Sequence, residues 1–133
     1  MPRFLLDTDT CSYVIKRSSE KLLKKLARVA IEDVAISVVT EAELFYGVEL
    51  SPRRQSDEAA VRAFLRHVSV LDFTSQAASH YAQIRADLKR LGMMIGANDL
   101  FIAAHARALG LTLVSNNTRE FKRVPDLKLE NWA

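Results

Sequence analysis

One cysteine, four glycines and three prolines in 133 residues leave this chain with little of what marks several protein classes. Cys11 has no partner in the sequence, so no internal disulfide can form, which fits a reducing compartment. A buried structural thiol is the commoner role for such a residue than a reactive one. No Ser/Gly or Pro-rich run divides the chain and no internal repeat is visible, so residues 1–133 are expected to form a single domain with one core. No apolar stretch approaches the roughly 18 residues of a membrane span. The opening MPRFLLDTD has a three-residue apolar run before its first acid, against the roughly 7–15 of a signal-peptide core. A cytoplasmic protein without membrane contact is expected. The patterns GxxxxGKS/T, GxGxxG and GxSxG are all missing, which removes the usual sequence support for nucleoside-triphosphate binding, dinucleotide redox chemistry and serine hydrolysis. His67, His80 and His105 lack zinc-motif spacing, and Cys11 is alone, so a zinc site is not expected. A strong charge of either sign is also lacking: the formal charge is +3, compatible with a polyanionic partner but not demanding one.

What is present is an alternation of short apolar runs and amphipathic stretches. Arg3 to Leu6 reads as a buried strand, and Asp7-Thr8-Asp9-Thr10 can cap a helix starting near Cys11. From Ser19, the residues Leu22, Leu23, Leu26 and Val29 recur at helical spacing with Lys21, Lys24, Lys25 and Arg28 between them. Val34 to Ile36 is a second strand, with Ser37 placed to cap the helix that carries Glu43. Arg54 to His67 reads as helix and Val68 to Phe73 as strand. The series Ala77, Ala78, Tyr81, Ile84, Leu88, Leu91 gives a long helix stopped by Gly92. A helix led by Asp99 and stopped by Gly110, a strand at Leu111 to Val114 and a short strand at Leu127 to Leu129 complete the series. Such alternation implies crossover connections. An α/β three-layer domain is expected, with a mostly parallel central sheet of four to five strands and helices on both faces.

Three acids stand out because each leads or interrupts an apolar segment. Asp99 sits behind Gly96-Ala97-Asn98 and ahead of Leu100-Phe101-Ile102-Ala103-Ala104, where a carboxylate is costly to desolvate without a positive partner. Asp7 follows Phe4-Leu5-Leu6 at a strand end, where α/β sheets bind ligands; taken alone it is equally a helix cap. Glu43 shares a helical stripe with Val39, Tyr46, Gly47 and Leu50, which reads as inward-facing, while Glu41 and Glu49 fall off it. Brought together, three carboxylates would repel unless a divalent cation compensates, and oxygen-only ligation favours Mg²⁺ or Mn²⁺. The segment Ser115-Asn116-Asn117 follows another strand and should meet the same crevice.

These residues bring the chain into a recognisable pattern. FLLDTDTCSYVIK, ISVVTEAELFYGVELS, IRADLKRLGMMIGANDLFIAAHARALGLTLVSNNTREFKRV and the terminal LENWA resemble the PIN-domain ribonucleases, specifically the VapC toxins of bacterial toxin–antitoxin pairs, over essentially the whole chain. The resemblance implies RNA cleavage, with Asp7, Glu43 and Asp99 holding the divalent ion. The fourth acidic position common in PIN domains falls on Asn117, so this site would carry three negative charges rather than four. Asp9 stands where many relatives have Asn and is read as a cap. Thr8, Thr40 and Ser115 are candidates to orient ligands or water, and Arg85, Lys89 and Arg119 to hold flanking phosphates. Similarity to the enteric members implies cleavage of initiator tRNA in its anticodon stem-loop. It also implies a homodimer and a VapB-type antitoxin partner covering the groove. An exposed apolar patch is then required, for which Leu22, Leu26 and Val29 with Phe45 and Leu50 are the candidates.

Other readings share the architecture. A PIN ribonuclease acting on ribosomal RNA, mRNA or another tRNA would carry the same acids, since the acids fix the reaction and not the substrate. A phospho-acceptor regulatory domain would want an acid pair after the first strand and a Lys after a late one; Asp7 and Asp9 imitate the pair poorly, and Val114-Ser115-Asn116 has no Lys. A catalytically silent RNA- or protein-binding PIN domain is disfavoured by the presence of all three acids.

Overall fold

A computed structural model describes all residues from Met1 to Ala133 and shows how few strand residues suffice to organise the chain. Strand β1 (Phe4–Leu6) is buried along its whole length. Successive strand side chains point to opposite faces, so Leu5 enters one apolar core while Phe4 and Leu6 enter another. The same division runs through β2 (Val34–Ser37), where Ala35 faces the first core and Val34 and Ile36 the second. Adding β3 (Ser69–Leu71), β4 (Thr112–Val114) and β5 (Leu129–Glu130) gives a five-stranded sheet in the order β3-β2-β1-β4-β5, with every pairing parallel. Because β1 is flanked by β2 and β4, the chain reverses its direction of travel across the sheet at the β1/β4 crevice.

The crossovers supply the outer layers. Helices α1 (Thr8–Lys16), α2 (Glu20–Ala27), α3 (Val38–Leu50) and α4 (Arg54–Leu65) cover the Leu6 face through Cys11, Leu22, Leu44, Val48 and Val61. Helices α5 (Ser75–Leu91) and α6 (Ala97–Leu109) pack on the Leu5 face through Ile84, Leu88, Ile102 and Ala103, and the short α7 (Thr118–Phe121) adds Phe121. Each fully buried Leu or Ile contributes roughly 1.5–3 kcal/mol by leaving water. Capping follows the sequence: Ser19, Ser37 and Thr74 accept from Leu22 N, Val39 N and Ala77 N, while Gly92 and Gly110 end α5 and α6 at φ 65° and 67°.

The expected sheet with helices on both faces is therefore present, with several boundaries moved. The first helix starts at Thr8 instead of near Cys11, because Asp7 itself is the cap. The fourth helix stops at Leu65 and β3 covers only Ser69–Leu71. The last strand lies at Leu129–Glu130, later than Leu127 to Leu129, since its register is set by Leu113 pairing with Leu129. A 3₁₀ turn at Ile31–Asp33 and the four-residue α7 are too short to leave a periodic signal. No helix is long and apolar enough to cross a membrane.

Candidate functional site

Asp7 stands where β1 runs into α1, in the crevice beside β4: its amide donates to the Val114 carbonyl (3.1 Å). Its Oδ1 accepts from Thr10 N (2.9 Å), which is the capping bond, and its Oδ2 accepts from Ser115 Oγ (2.6 Å). Ser115 Oγ in turn accepts from Asn117 N (2.8 Å). The cap and the crevice use different oxygens, so the two roles proposed for this residue are compatible. Burial raises the Asp7 pKa above the ordinary carboxylate value, with the Ser115 and Thr10 bonds opposing and the Asp9 charge adding to it. Asp9 itself is exposed in the first turn of α1; it is not the cap, because Asp7 holds that place.

Glu43 reaches the crevice from the second turn of α3, a helix launched from the carboxyl end of β2 by the Ser37 cap. Thr8 Oγ1 donates to Glu43 Oε1 (2.5 Å) and stands 3.3 Å from the Thr40 hydroxyl, and Asn98 Nδ2 donates to Glu43 Oε2 (3.1 Å). Both oxygens of Glu43 are thus held from elements on either side. The stripe that identified Glu43 is not inward-facing: Tyr46 and Leu50 are 66% and 67% exposed, and the buried side of α3 is Thr40, Leu44 and Val48. Val39 and Tyr46 of that stripe line a surface groove with Phe73 and Phe101 beside Glu43, and Leu50 lines a separate one.

Asp99 is the third residue of α6. Its pKa is pushed up to about 7, first by burial and then by the negative charges of Glu120, Asp7 and Glu43. Glu120, on α7, contributes the largest of these charge effects. This carboxylate was missed in the sequence, where the fourth position fell to Asn117. In the structure Asn117 Nδ2 donates to Glu120 Oε2 and the Asn117 backbone N–H donates to Ser115 Oγ, so Asn117 links the Asp7 anchor to a further acid, Glu120. Glu120 is thus a further carboxylate near Asp99, beside Asp7 and Glu43.

The acids sense one another but no three of them close on a common point. Each is turned onto its own donor: Asp7 onto Ser115, Glu43 onto Thr8 and Asn98, Glu120 onto Asn117. Two features still fit a divalent cation. The groups free to ligate are carboxylate oxygens, and the mutual repulsion that raises Asp99 is what a cation would relieve. Space is reserved as well: a Cβ at Gly96 would stand 3.3 Å from Asp99 Oδ2.

The three basic candidates are exposed and none forms an ion pair with the acids. Arg85 donates to Tyr81 OH (2.9 Å), and Tyr81 stacks on Phe101 of the groove beside Glu43 (centroids 4.3 Å apart), so Arg85 borders the site. Lys89 lies one turn further along α5, and Arg119 adjoins Glu120 on α7. The expected apolar patch is corrected: Leu22 is buried, and Leu26, Val29 and Phe45 pack against the Leu6 core. The amphipathic face of α2 was already committed to the interior. Of that set only Leu50 is exposed, together with Tyr46, Leu91, Met93 and Met94 elsewhere.

Residues 4–127 match the PIN domain family. The chain is 43% identical to Ribonuclease VapC2 of Haemophilus influenzae, with all of both chains covered. It is 41% identical, again over the full length of both, to a protein of Salmonella typhimurium named tRNA(fMet)-specific endonuclease VapC. Among solved structures it is similar to the DNA-bound VapBC of Salmonella typhimurium, with a TM-score of 0.94 at 41% identity and full coverage of both chains. It is also similar to VapBC2 of Rickettsia felis bound to a promoter DNA fragment, with a TM-score of 0.92, 38% identity and 98% of each chain covered.

Proposed function

The chain belongs to the PIN-domain family, among its VapC ribonucleases, and from that premise we propose that it is the endoribonuclease toxin of a VapBC module, cutting initiator tRNA in the anticodon loop and so arresting translation. Divalent-metal dependence is a general trait of this family; Mg²⁺ is the ion proposed here, with Mn²⁺ able to substitute. The observation that carries the proposal is the gathering of Asp7, Glu43, Asp99 and Glu120, from four distant segments, at the β1/β4 crevice.

The chain's own residues set the chemistry. Ser115 and Thr10 fix the direction of Asp7, while Thr8 and Asn98 fix Glu43. Burial and the surrounding acids hold the Asp99 carboxyl up at about 7, a repulsion that a bound cation would relieve. A divalent ion among these four carboxylates would supply charge neutralisation and a more acidic water for attack on a phosphodiester. An acidic crevice alone repels RNA, so flanking phosphates need cations, and Arg85 and Arg119 border it on two sides. RNA loops offer unpaired bases for stacking, and the Phe73, Phe101 and Tyr46 groove beside Glu43 offers aromatic faces.

The further components of the proposal are a cytoplasmic location, residues 1–133 acting as one PIN domain, a homodimer, and a VapB-type antitoxin as the controlling partner. The test is incubation of the purified protein with total bacterial tRNA in Mg²⁺, mapping new 5′ ends, with EDTA and Asp7→Ala as controls. A single cut in the initiator tRNA anticodon loop, lost in both controls, is expected. Cuts confined to other tRNAs, or no cut at all, would refute the substrate, and cleavage surviving in Asp7→Ala would refute the site.

A further inference from the structure

The densest positive charge on the molecule lies away from the acids. Lys21, Lys24, Lys25 and Arg28 share one side of the α2 region and wall an open groove of about 470 Å³, faced across it by Asn131 and Trp132. None of the four joins an ion pair. The single acid on the groove, Glu130, is engaged by the Trp132 indole N–H (2.9 Å). Like charges three and four residues apart on a helix repel, so the free chain carries this arrangement at a cost that a bound polyanion would reverse.

Hydrogen bonds join the wall of the groove to the crevice. Ser115, which holds Asp7, donates its amide to the Glu130 carbonyl (3.0 Å). The next residue, Asn116, accepts from Asn131 Nδ2 (3.4 Å) and donates to Tyr13 OH (3.3 Å). These bonds run from the carboxyl edge of β4, across β5, to Asn131 on the wall that faces α2.

We propose that this groove binds the backbone phosphates of the base-paired stem that flanks the cleaved RNA loop. The inference rests on the ribonuclease reading above. What distinguishes a stem from a single strand is the absence of a stacking platform: the one aromatic residue here, Trp132, is only 4% exposed, packed edge-on to Phe4 and capped by the Lys25 ammonium 5.7 Å from its ring centroid. Single-strand sites offer aromatic faces to bases; this one offers only charge, which suits a duplex whose bases are already stacked.

The test compares the full-length wild-type chain, the variant K21A/K24A/K25A/R28A, and the charge-keeping variant K21R/K24R/K25R. Binding to an anticodon stem-loop RNA and to an oligonucleotide of the loop alone is measured by fluorescence anisotropy in EDTA across a salt series. For the alanine variant, stem-loop affinity should fall about tenfold or more at 0.1 M salt, and the slope of log K against log salt should flatten by about 2–3. Loop-only binding should be unchanged, and the arginine variant should match wild type. In cleavage assays KM for tRNA should rise with kcat unchanged. Equal stem-loop affinity and salt slope in the alanine variant would overturn the proposal, and binding of an acidic peptide there instead would do the same by giving the groove another occupant. Absence of any RNA cleavage by wild type, with the stem-loop effect intact, would sink the ribonuclease reading and leave the groove standing.

Discussion

Replacing Asp99 with Asn should abolish cleavage and yet make the cation-free protein more stable at alkaline pH. Folding raises the Asp99 carboxyl from an ordinary 3.8 to about 7 through burial and the charges of Glu120, Asp7 and Glu43. Between about pH 4 and pH 7 the folded chain therefore holds a proton that the unfolded chain has released. Stability falls as pH rises through that window, because the folded state is the one that binds more protons. At roughly 1.4 kcal/mol per pH unit the upper limit of the loss by pH 8 is about 4 kcal/mol; solvent screening of a partly exposed group reduces the expected value to about 1–2 kcal/mol. Asparagine keeps the size of the side chain and removes the charge. For a domain of this size the gain amounts to roughly 5 °C in Tm at pH 8, with no gain at pH 4. The assay is thermal unfolding by circular dichroism in EDTA from pH 4 to 8 for both proteins, repeated in excess Mg²⁺. The ion should stabilise the wild type and leave the variant nearly unmoved. Melting temperatures of the two proteins that run parallel across the whole pH range would refute the reasoning.

Three further outcomes follow from the same geometry. Glu120→Gln should raise the Mg²⁺ concentration for half-maximal cleavage by roughly 10–100-fold and lower the Asp99 pKa, read by carboxyl NMR titration; an unchanged Mg²⁺ requirement would place Glu120 outside the site. Gly96→Ala puts a Cβ 3.3 Å from Asp99 Oδ2, so cleavage should fall about tenfold while urea unfolding changes by under about 1 kcal/mol. His105 is buried, its Nδ1 bound to Ser37 Oγ (2.8 Å) and its Nε2 without a partner. Burial lowers its pKa from 6.5 against the opposing pull of Asp72. The stability it confers is present above pH 6.5 and lost as pH falls through the lowered value, so His105→Gln should flatten the acid limb of the Tm profile.

The sheet could be read from the sequence because its strands are bounded by capping residues and joined by periodic helices: Ser37 marks a helix start, Gly92 and Gly110 mark helix ends, and βα alternation forces parallel pairing. Asp7 and Asp99 were legible for the same reason, since each sits at a junction between an apolar element and a turn. Glu43 was found through a stripe whose meaning was inverted: α3 is apolar on both its core side and its groove side, and periodicity cannot tell one from the other. Glu120 escaped because α7 is a single turn. A signal did exist, in the Asn117-Thr118-Arg119-Glu120 spacing of a capping box, but the acid it points to was passed over in favour of the asparagine. The docking patch was misplaced because α2 has one apolar face, which the interior already takes.

That acids from four separate segments make one cation site is tested most directly by anomalous diffraction from crystals of the full chain soaked in Mn²⁺. A single strong peak enclosed by the carboxylates of Asp7, Glu43, Asp99 and Glu120 is the expected result. A crevice without a peak at saturating Mn²⁺, or a peak that persists at full height in Asp7→Ala crystals, would contradict it.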